Sequence, residues 1–413
     1  MEQPQKTVLM LAMRAGQILL RSGSEVYRVV DTINRICHAC DMPYVECFVT
    51  TTGIIVTLGQ DEDDGGMKTL VKTIKRIGID LEKISRVNTF VREFTAHKHS
   101  VEEGFAILDE IEQIKPFKLP VRLIGVMLVA AFFAMMNGGS PFDGVCALGC
   151  AVVTYLMYRG IDWLHINRFI TIFASCLVCA LLASLCFALG WGDSLSAIIV
   201  GSITVYLPGV AITNAVRDML SGDMLAGVAR VAESFLVAVA IAAGAGVLFG
   251  VVPLGGRVDV FTEFPLPLGF AFAALGTIGI SIFINIPRRL LLLASLPAAC
   301  SWVTLQLLML NGSPHVLAVF AAACVVALVA EVFTHITREA APLFIIPAIF
   351  PLVPGLGLYN TMLDLMRGDL IAAAATGSEA IFVAGGIALA LLVVISLTRI
   401  VRVIFAQVRE LIR

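Results

Sequence analysis

After Lys118 the chain has no lysine, and 14 Arg are its only basic residues other than histidine. Acidic residues thin out as well: residues 1–118 hold 15 of the 29 Lys and Arg and 17 of the 31 Asp and Glu. With a hydrophobic fraction of 58% and a mean hydropathy of +0.92, this excludes an ordinary soluble globule. There is no basic excess, and a net charge of −2 argues against a nucleic-acid partner. A secretory signal is not expected, because Arg14 and Arg21 turn the apolar stretch from Val8 into an amphipathic pattern. The ten cysteines fall mostly in apolar runs, where a thiol acts as a small hydrophobe, so no disulfide is expected. Cys37, His38 and Cys40 sit in a predicted helix without a second ligand pair, so neither a metal nor any other cofactor is expected.

Residues 1–118 read as a small α/β domain. Apolar residues recur at helical spacing over 4–40, with a break near Ser22-Gly23. Tyr44–Leu58 reads as one or two strands, Asp61–Gly66 as a turn, and Thr69–Ile77 as a third strand or a helix. Leu81–Ala96 and Val101–Ile114 read as helices, the second opened by a Ser100/Glu103 capping pattern. Ser24, Glu25 and Arg28 are read as a solvated helix face, with a ligand pocket as the alternative.

Ten apolar segments of spanning length follow. Five lie near 120–136, 143–159, 167–190, 194–216 and 223–252, and five near 265–286, 289–310, 314–335, 340–362 and 369–399. Turns such as Gly255-Gly256-Arg257 separate them. The expected fold is therefore a polytopic α-helical membrane protein with two five-helix repeats, over residues 119–253 and 264–413. With the N-terminus in the cytoplasm, every Lys and Arg from Lys115 onward except Arg257 and Arg367 falls at or near the inner face. An odd number of spans per half makes the second half upside down relative to the first, the arrangement that supports alternating access.

What is present in the apolar part is one polar pattern written twice, 146 positions apart. Pro208, Gly209, Asn214, Asp218, Gly222, Asp223 and Glu233 recur as Pro354, Gly355, Asn360, Asp364, Gly368, Asp369 and Glu379. Carboxylates are expensive in a bilayer and mark ion or substrate paths. Each Pro-Gly pair is expected to break its span, exposing a half-helix N-terminus with partial positive charge; a packing kink is the alternative. Asn214/Asp218 and Asn360/Asp364 each share a helix face and form the candidate substrate face, suited to a zwitterion. The Gly-Asp pairs read as helix punctuation. Glu233 and Glu379, well inside their spans, are expected to be buried carboxyls and candidate proton carriers.

Arg21-Ser22-Gly23-Ser24-Glu25-Val26-Tyr27-Arg28-Val29, Thr51-Thr52-Gly53-Ile54-Ile55-Val56, and Gly78-Ile79-Asp80-Leu81 through Val87-Asn88 resemble the N-terminal signature of the threonine/serine exporter family. The repeated Pro-Gly…Asn…Asp…Gly-Asp pattern is similar to that family too, with two subunits fused in one chain. The resemblance implies ten spans, a cytosolic N-domain, a bacterial inner-membrane location with both termini cytoplasmic, and proton-driven export of small hydroxy-amino acids. Some members are associated with succinate export, so a small amino acid and a small carboxylate both stand as substrates; oligomerisation stays open. An intramembrane aspartyl protease using Asp218 and Asp364, and a passive channel, are the readings of another class. The Asn and Glu that accompany each Asp are not needed for protease chemistry.

Overall fold

Gly23, with φ +83°, turns the chain between α1 (Glu2–Arg21) and α2 (Val26–His38). The strands β1 (Tyr44–Val49), β2 (Gly53–Gly59) and β3 (Lys68–Thr73) follow as an antiparallel meander in the order β1-β2-β3. Tyr44 pairs with Gly59 and Gly53 with Thr73. Ile54, Val56 and Leu58 alternate inward and are fully buried, whereas Phe48, Ile55 and Val71 are exposed on the other face. Helix α3 (Leu81–Phe94) is capped by Asp80, and α4 (Val101–Gln113) by the Ser100/Glu103 capping box. The computed structural model describes residues 2–59, 67–74, 78–220, 222–246 and 265–411. The expected turns at 61–66 and 255–257 lie outside the described residues.

The apolar part is helical: α5 (Leu119–Met136), α6 (Pro141–Trp163), α7 (Arg168–Ala188), α8 (Leu195–Ile203), α9 (Gly209–Leu220) and α10 (Met224–Gly246). It continues as α11 (Leu266–Phe283), α12 (Leu291–Leu310), α13 (His315–Thr337), α14 (Pro342–Ala348), α15 (Gly355–Met366) and α16 (Leu370–Leu411). Among the described residues eight helices are long and apolar enough to cross a membrane. Counting each of two bent pairs, α8 with α9 and α14 with α15, as one span brings the number to ten. This is a polytopic helical membrane protein.

The elements recur along the chain. Leu119, Trp163 and Arg168 bound α5, α6 and α7; Leu266, Leu310 and His315, each 147 positions on, bound α11, α12 and α13. From α9 and α15 onward the spacing is 146. Contacts recur as well. Phe132 and Phe272 stack with ring centres 5.6 Å apart. Their counterparts at the 147 spacing, Gly279 and Gly125, also meet: a Cβ built on Gly125 would lie 2.9 Å from the Gly279 carbonyl oxygen.

The chain divides into two compact units. The first comprises residues 1–117, 218–230 and 284–287. Within it the 284–287 segment accepts hydrogen bonds from the start of α3, Leu81 N–H to Ile284 O (3.0 Å) and Glu82 N–H to Asn285 O (2.8 Å). Asn285 Oδ1 also accepts from Phe117 N–H (3.2 Å). The second unit holds residues 118–217, 231–283 and 288–413. Its main core joins α5–α8, α10 and α15 through small side chains, among them Ala147, Cys176, Cys179 and Ala180, with Tyr359 and Leu363.

Candidate functional site

The site is built where two helices stop. α8 runs on through a single turn, Thr204–Tyr206, and breaks at Leu207-Pro208, after which α9 leaves at 51°. α14 runs on through Phe350–Leu352 and breaks at Val353-Pro354, after which α15 leaves at 41°. Proline cannot donate the hydrogen bond that would continue the helix, and the following glycine weakens it further. The two breaks lie against each other. A Cβ built on Gly209 would collide with the Val353 side chain, and one on Gly355 would come within 3.0 Å of Leu207 Cβ. Leu207 and Val353 are themselves 146 apart, so these are the same contact made twice.

Beside the breaks is a cavity of about 90 Å³. Its lining includes Gly355, Leu356 and Gly357, where α15 begins, together with Asn360, Thr376, Glu379, His315 and Trp302. The first-turn N–H groups of a helix lack intrahelical acceptors and carry partial positive charge. The Trp302 indole N–H is buried and has no protein acceptor among the described residues, the kind of donor that needs an explanation. Glu379 Oε1 lies 2.8 Å from His315 Nδ1. Thr361 donates to Thr376 Oγ1 (3.2 Å), and Thr376 lies 3.4 Å from Asp364 Oδ2. A hydroxyl chain thus runs from the cavity wall to a buried carboxylate.

The first copy has the same backbone and different partners. Gly222 and Gly368 have φ of +96° and +79°, conformations that favour glycine. Asp223 N–H donates to Asp218 O (2.9 Å), and Asp369 N–H to Asp364 O (3.0 Å). Asp369 Oδ1 caps α16 by accepting from Ala372 N–H. Yet Asp218, with 0% of its surface exposed, pairs with Arg230 Nε at 3.1 Å. Arg230 Nη2 also donates to Ser24 O (3.1 Å). The position matching Arg230 in the second copy is Thr376.

Two environments differ from the sequence reading. Ser24 and Glu25 are buried, and Glu25 pairs with Arg28 at 2.9 Å; the Gly23 turn aims them inward, so they are no solvated face. Glu233 is half-exposed, at 48%, and its partner is Arg168 at 2.6 Å. Glu379 is 48% exposed as well. Neither is the buried, isolated carboxyl expected from depth in the span, because the basic first residues of α7 and α13 reach them. Asn214 (9% exposed), Asn360 (3%) and Asp364 (2%) are buried, and the cavity brings together Asn360, Glu379, Pro354 and Gly355. His315, Thr376, Trp302 and Arg230 escaped the sequence reading. A search at a spacing of 147 as well as 146 would have aligned the first turns of α7 and α13.

Other chemistries find less support. One Gly-x-Gly-Asp run, the pattern associated with intramembrane aspartyl proteases, is present as Gly190-Trp191-Gly192-Asp193. It forms the turn between α7 and α8, where Asp193 and Ser194 N–H both donate to Asp143 Oδ1. Burial pushes the Cys37 thiol up to about 12 and raises Cys40, so neither is an activated nucleophile.

Two family models describing threonine/serine exporters match this chain, over residues 10–252 and 269–397. A Mycobacterium tuberculosis protein named "Probable threonine/serine exporter" is 24% identical over 378 residues, covering 88% of this chain and 71% of its own. The "Threonine/serine exporter" of Corynebacterium glutamicum is 24% identical over 245 residues, 58% of this chain and 50% of its own. The "Probable succinate transporter subunit YjjP" of Escherichia coli is 26% identical over 249 residues, 59% of this chain and 93% of its own. No solved structure matches. With family matches running through both halves of a chain of membrane-spanning helices, this protein belongs to the threonine/serine exporter family.

Proposed function

We propose that the protein exports threonine- and serine-sized amino acids across the bacterial inner membrane by proton antiport and alternating access. The observation that carries this reading is the cavity at the second break. It combines a helix start, suited to a substrate carboxylate, with Asn360 and Glu379, suited to an ammonium, and with the Trp302 ring in its lining. The Thr376–Asp364 chain is placed to take a substrate hydroxyl. Asn360 and Asp364 are thus the binding residues, and Glu379, paired with His315, is the carboxylate through which substrate binding is linked to the proton. Asn214 and Asp218 hold the matching place in the first copy, where Arg230 already engages the carboxylate, so they act as scaffold; so does Glu233, held by Arg168.

Two halves inverted about an axis in the membrane plane account for the contacts made twice: in a two-fold arrangement, contact i to j implies its mate. The 218–230 segment belongs to the same unit as the N-terminal elements, whereas its counterpart 364–376 does not. That fits opposite membrane faces, with residues 1–118 and the C-terminal end of α16 in the cytoplasm.

The test is transport by vesicles containing the purified protein. Labelled threonine should accumulate when a pH gradient is imposed, and serine should compete. No response to the gradient overturns proton antiport. A second reading, dicarboxylate export, is favoured by the relative named as a succinate transporter subunit and by the carboxylate-binding features of the cavity. Succinate flux exceeding threonine flux would select it.

A further inference from the structure

Arg168 and His315 are the first residues of α7 and α13, 147 positions apart. Each engages the repeated glutamate of its own half. Arg168 Nη1 lies 2.6 Å from Glu233 Oε1, and His315 Nδ1 lies 2.8 Å from Glu379 Oε1. The geometry is the same and the chemistry is not. A guanidinium stays charged at every physiological pH. An imidazole changes charge between about pH 5 and 8. The titratable version is the one that lines the cavity, beside Asn360 and Thr376.

We propose that His315 is the coupling residue of the transporter, the group whose proton decides whether Glu379 is tied into an ion pair or free to hold the substrate's ammonium. With His315 protonated, the imidazolium holds the Glu379 carboxylate. When the proton leaves to the aqueous phase the coulombic part of the pair is lost, and an ammonium replaces it. Proton and substrate then compete for one carboxylate, which is the condition for antiport. Few other groups intrude. Helix α12 carries only Cys300 as a titratable side chain, and α14 and the Phe350–Leu352 turn carry none. Cys324, Glu331 and His335 lie farther along α13, and on α16 Arg399 and the residues beyond it lie more than five turns from Glu379. Asp364 stands behind Thr376. His315 escaped notice in the sequence because its spacing from Arg168 is 147, one more than the repeated motif.

This inference rests on the exporter reading, and the test separates the two. In vesicles without a gradient, the half-saturating threonine concentration for exchange in the wild type should fall about tenfold between pH 5.5 and 8. His315→Gln should show the high affinity at both pH values and His315→Arg the low one, each still exchanging threonine. Arg168→Lys should retain the wild-type pH slope. Gradient-driven accumulation should be lost in both His315 variants. A wild-type affinity that is flat over this range overturns the proposal whatever the variants do. So does a His315→Gln or His315→Arg protein that keeps the wild-type slope and accumulation, and this leaves the exporter reading standing. Wild-type vesicles that exchange threonine but ignore a pH gradient overturn proton coupling itself.

Discussion

Helix α9 presents Asp218 to Arg230, whereas α15 presents Asp364 to Thr376, the residue at the matching position. Farther along, Glu233 meets an arginine where Glu379 meets a histidine. The backbone of the two copies is kept, down to the Gly222 and Gly368 turns and the hydrogen bonds that follow them. What has diverged is these partners: Arg230 stands where Thr376 stands, and Arg168 where His315 does. The first copy places permanent cations on both carboxylates and is tied through Arg230 to Ser24 of the N-terminal signature. In the second, the Thr376 hydroxyl lies beside Asp364 and the His315 imidazole beside Glu379, and Thr376, His315 and Glu379 line a cavity. A duplicated scaffold can in this way keep one half as support and use the other for binding.

Substitutions at these positions test the contrast. The largest effect on stability is expected from Arg230→Ala, which breaks the buried ion pair with Asp218 at a cost of about 3–5 kcal/mol. Thermal unfolding in detergent should show it, with Thr376→Ala far milder; equal losses would mean that the two carboxylates are held alike. Next comes Gly209→Ala, where the added methyl collides with Val353. Overpacking there should cost about 1–3 kcal/mol. Pairing it with Val353→Ala should restore part of the loss, and Gly355→Ala, against Leu207, should be gentler. Thr376→Ala itself removes one hydrogen-bonding hydroxyl, about 1 kcal/mol, yet should raise the half-saturating threonine concentration. The smallest effect lies in the N-terminal unit. Burial pushes Cys37 and Cys47 up to about 12 from an ordinary 9.0. The folded state therefore keeps those protons after the unfolded chain has lost them. Stability is unaffected below pH 9 and falls as pH rises from there toward 12; maleimide labelling of both thiols at pH 7 should be slow.

Much of this architecture was legible in the sequence. Ten apolar segments, the Ser100 capping box, the Ser22-Gly23 turn and the two Pro-Gly breaks follow from periodicity and from what proline and glycine do to a backbone. The partners of the carboxylates were not legible, since side-chain pairs between helices depend on packing rather than spacing. Depth along a helix was a poor guide to Glu233, which a basic residue opening another helix reaches. Likewise Ser24 and Glu25 look like surface residues until the Gly23 turn is known to face them inward. The change of spacing from 147 to 146 between the third helix and the break concealed the equivalence of Arg168 and His315 from a count at one fixed offset.

We propose that the second copy transports and the first supports. The most direct measurement is gradient-driven threonine flux in vesicles for Glu379→Gln beside Glu233→Gln, at matched protein content. Glu379→Gln should lose gradient-driven accumulation, by about tenfold or more, the factor that about 1.4 kcal/mol of coupling represents. Glu233→Gln should keep most of it. Equal losses in both, or a loss confined to Glu233→Gln, would contradict the division of labour between the two halves.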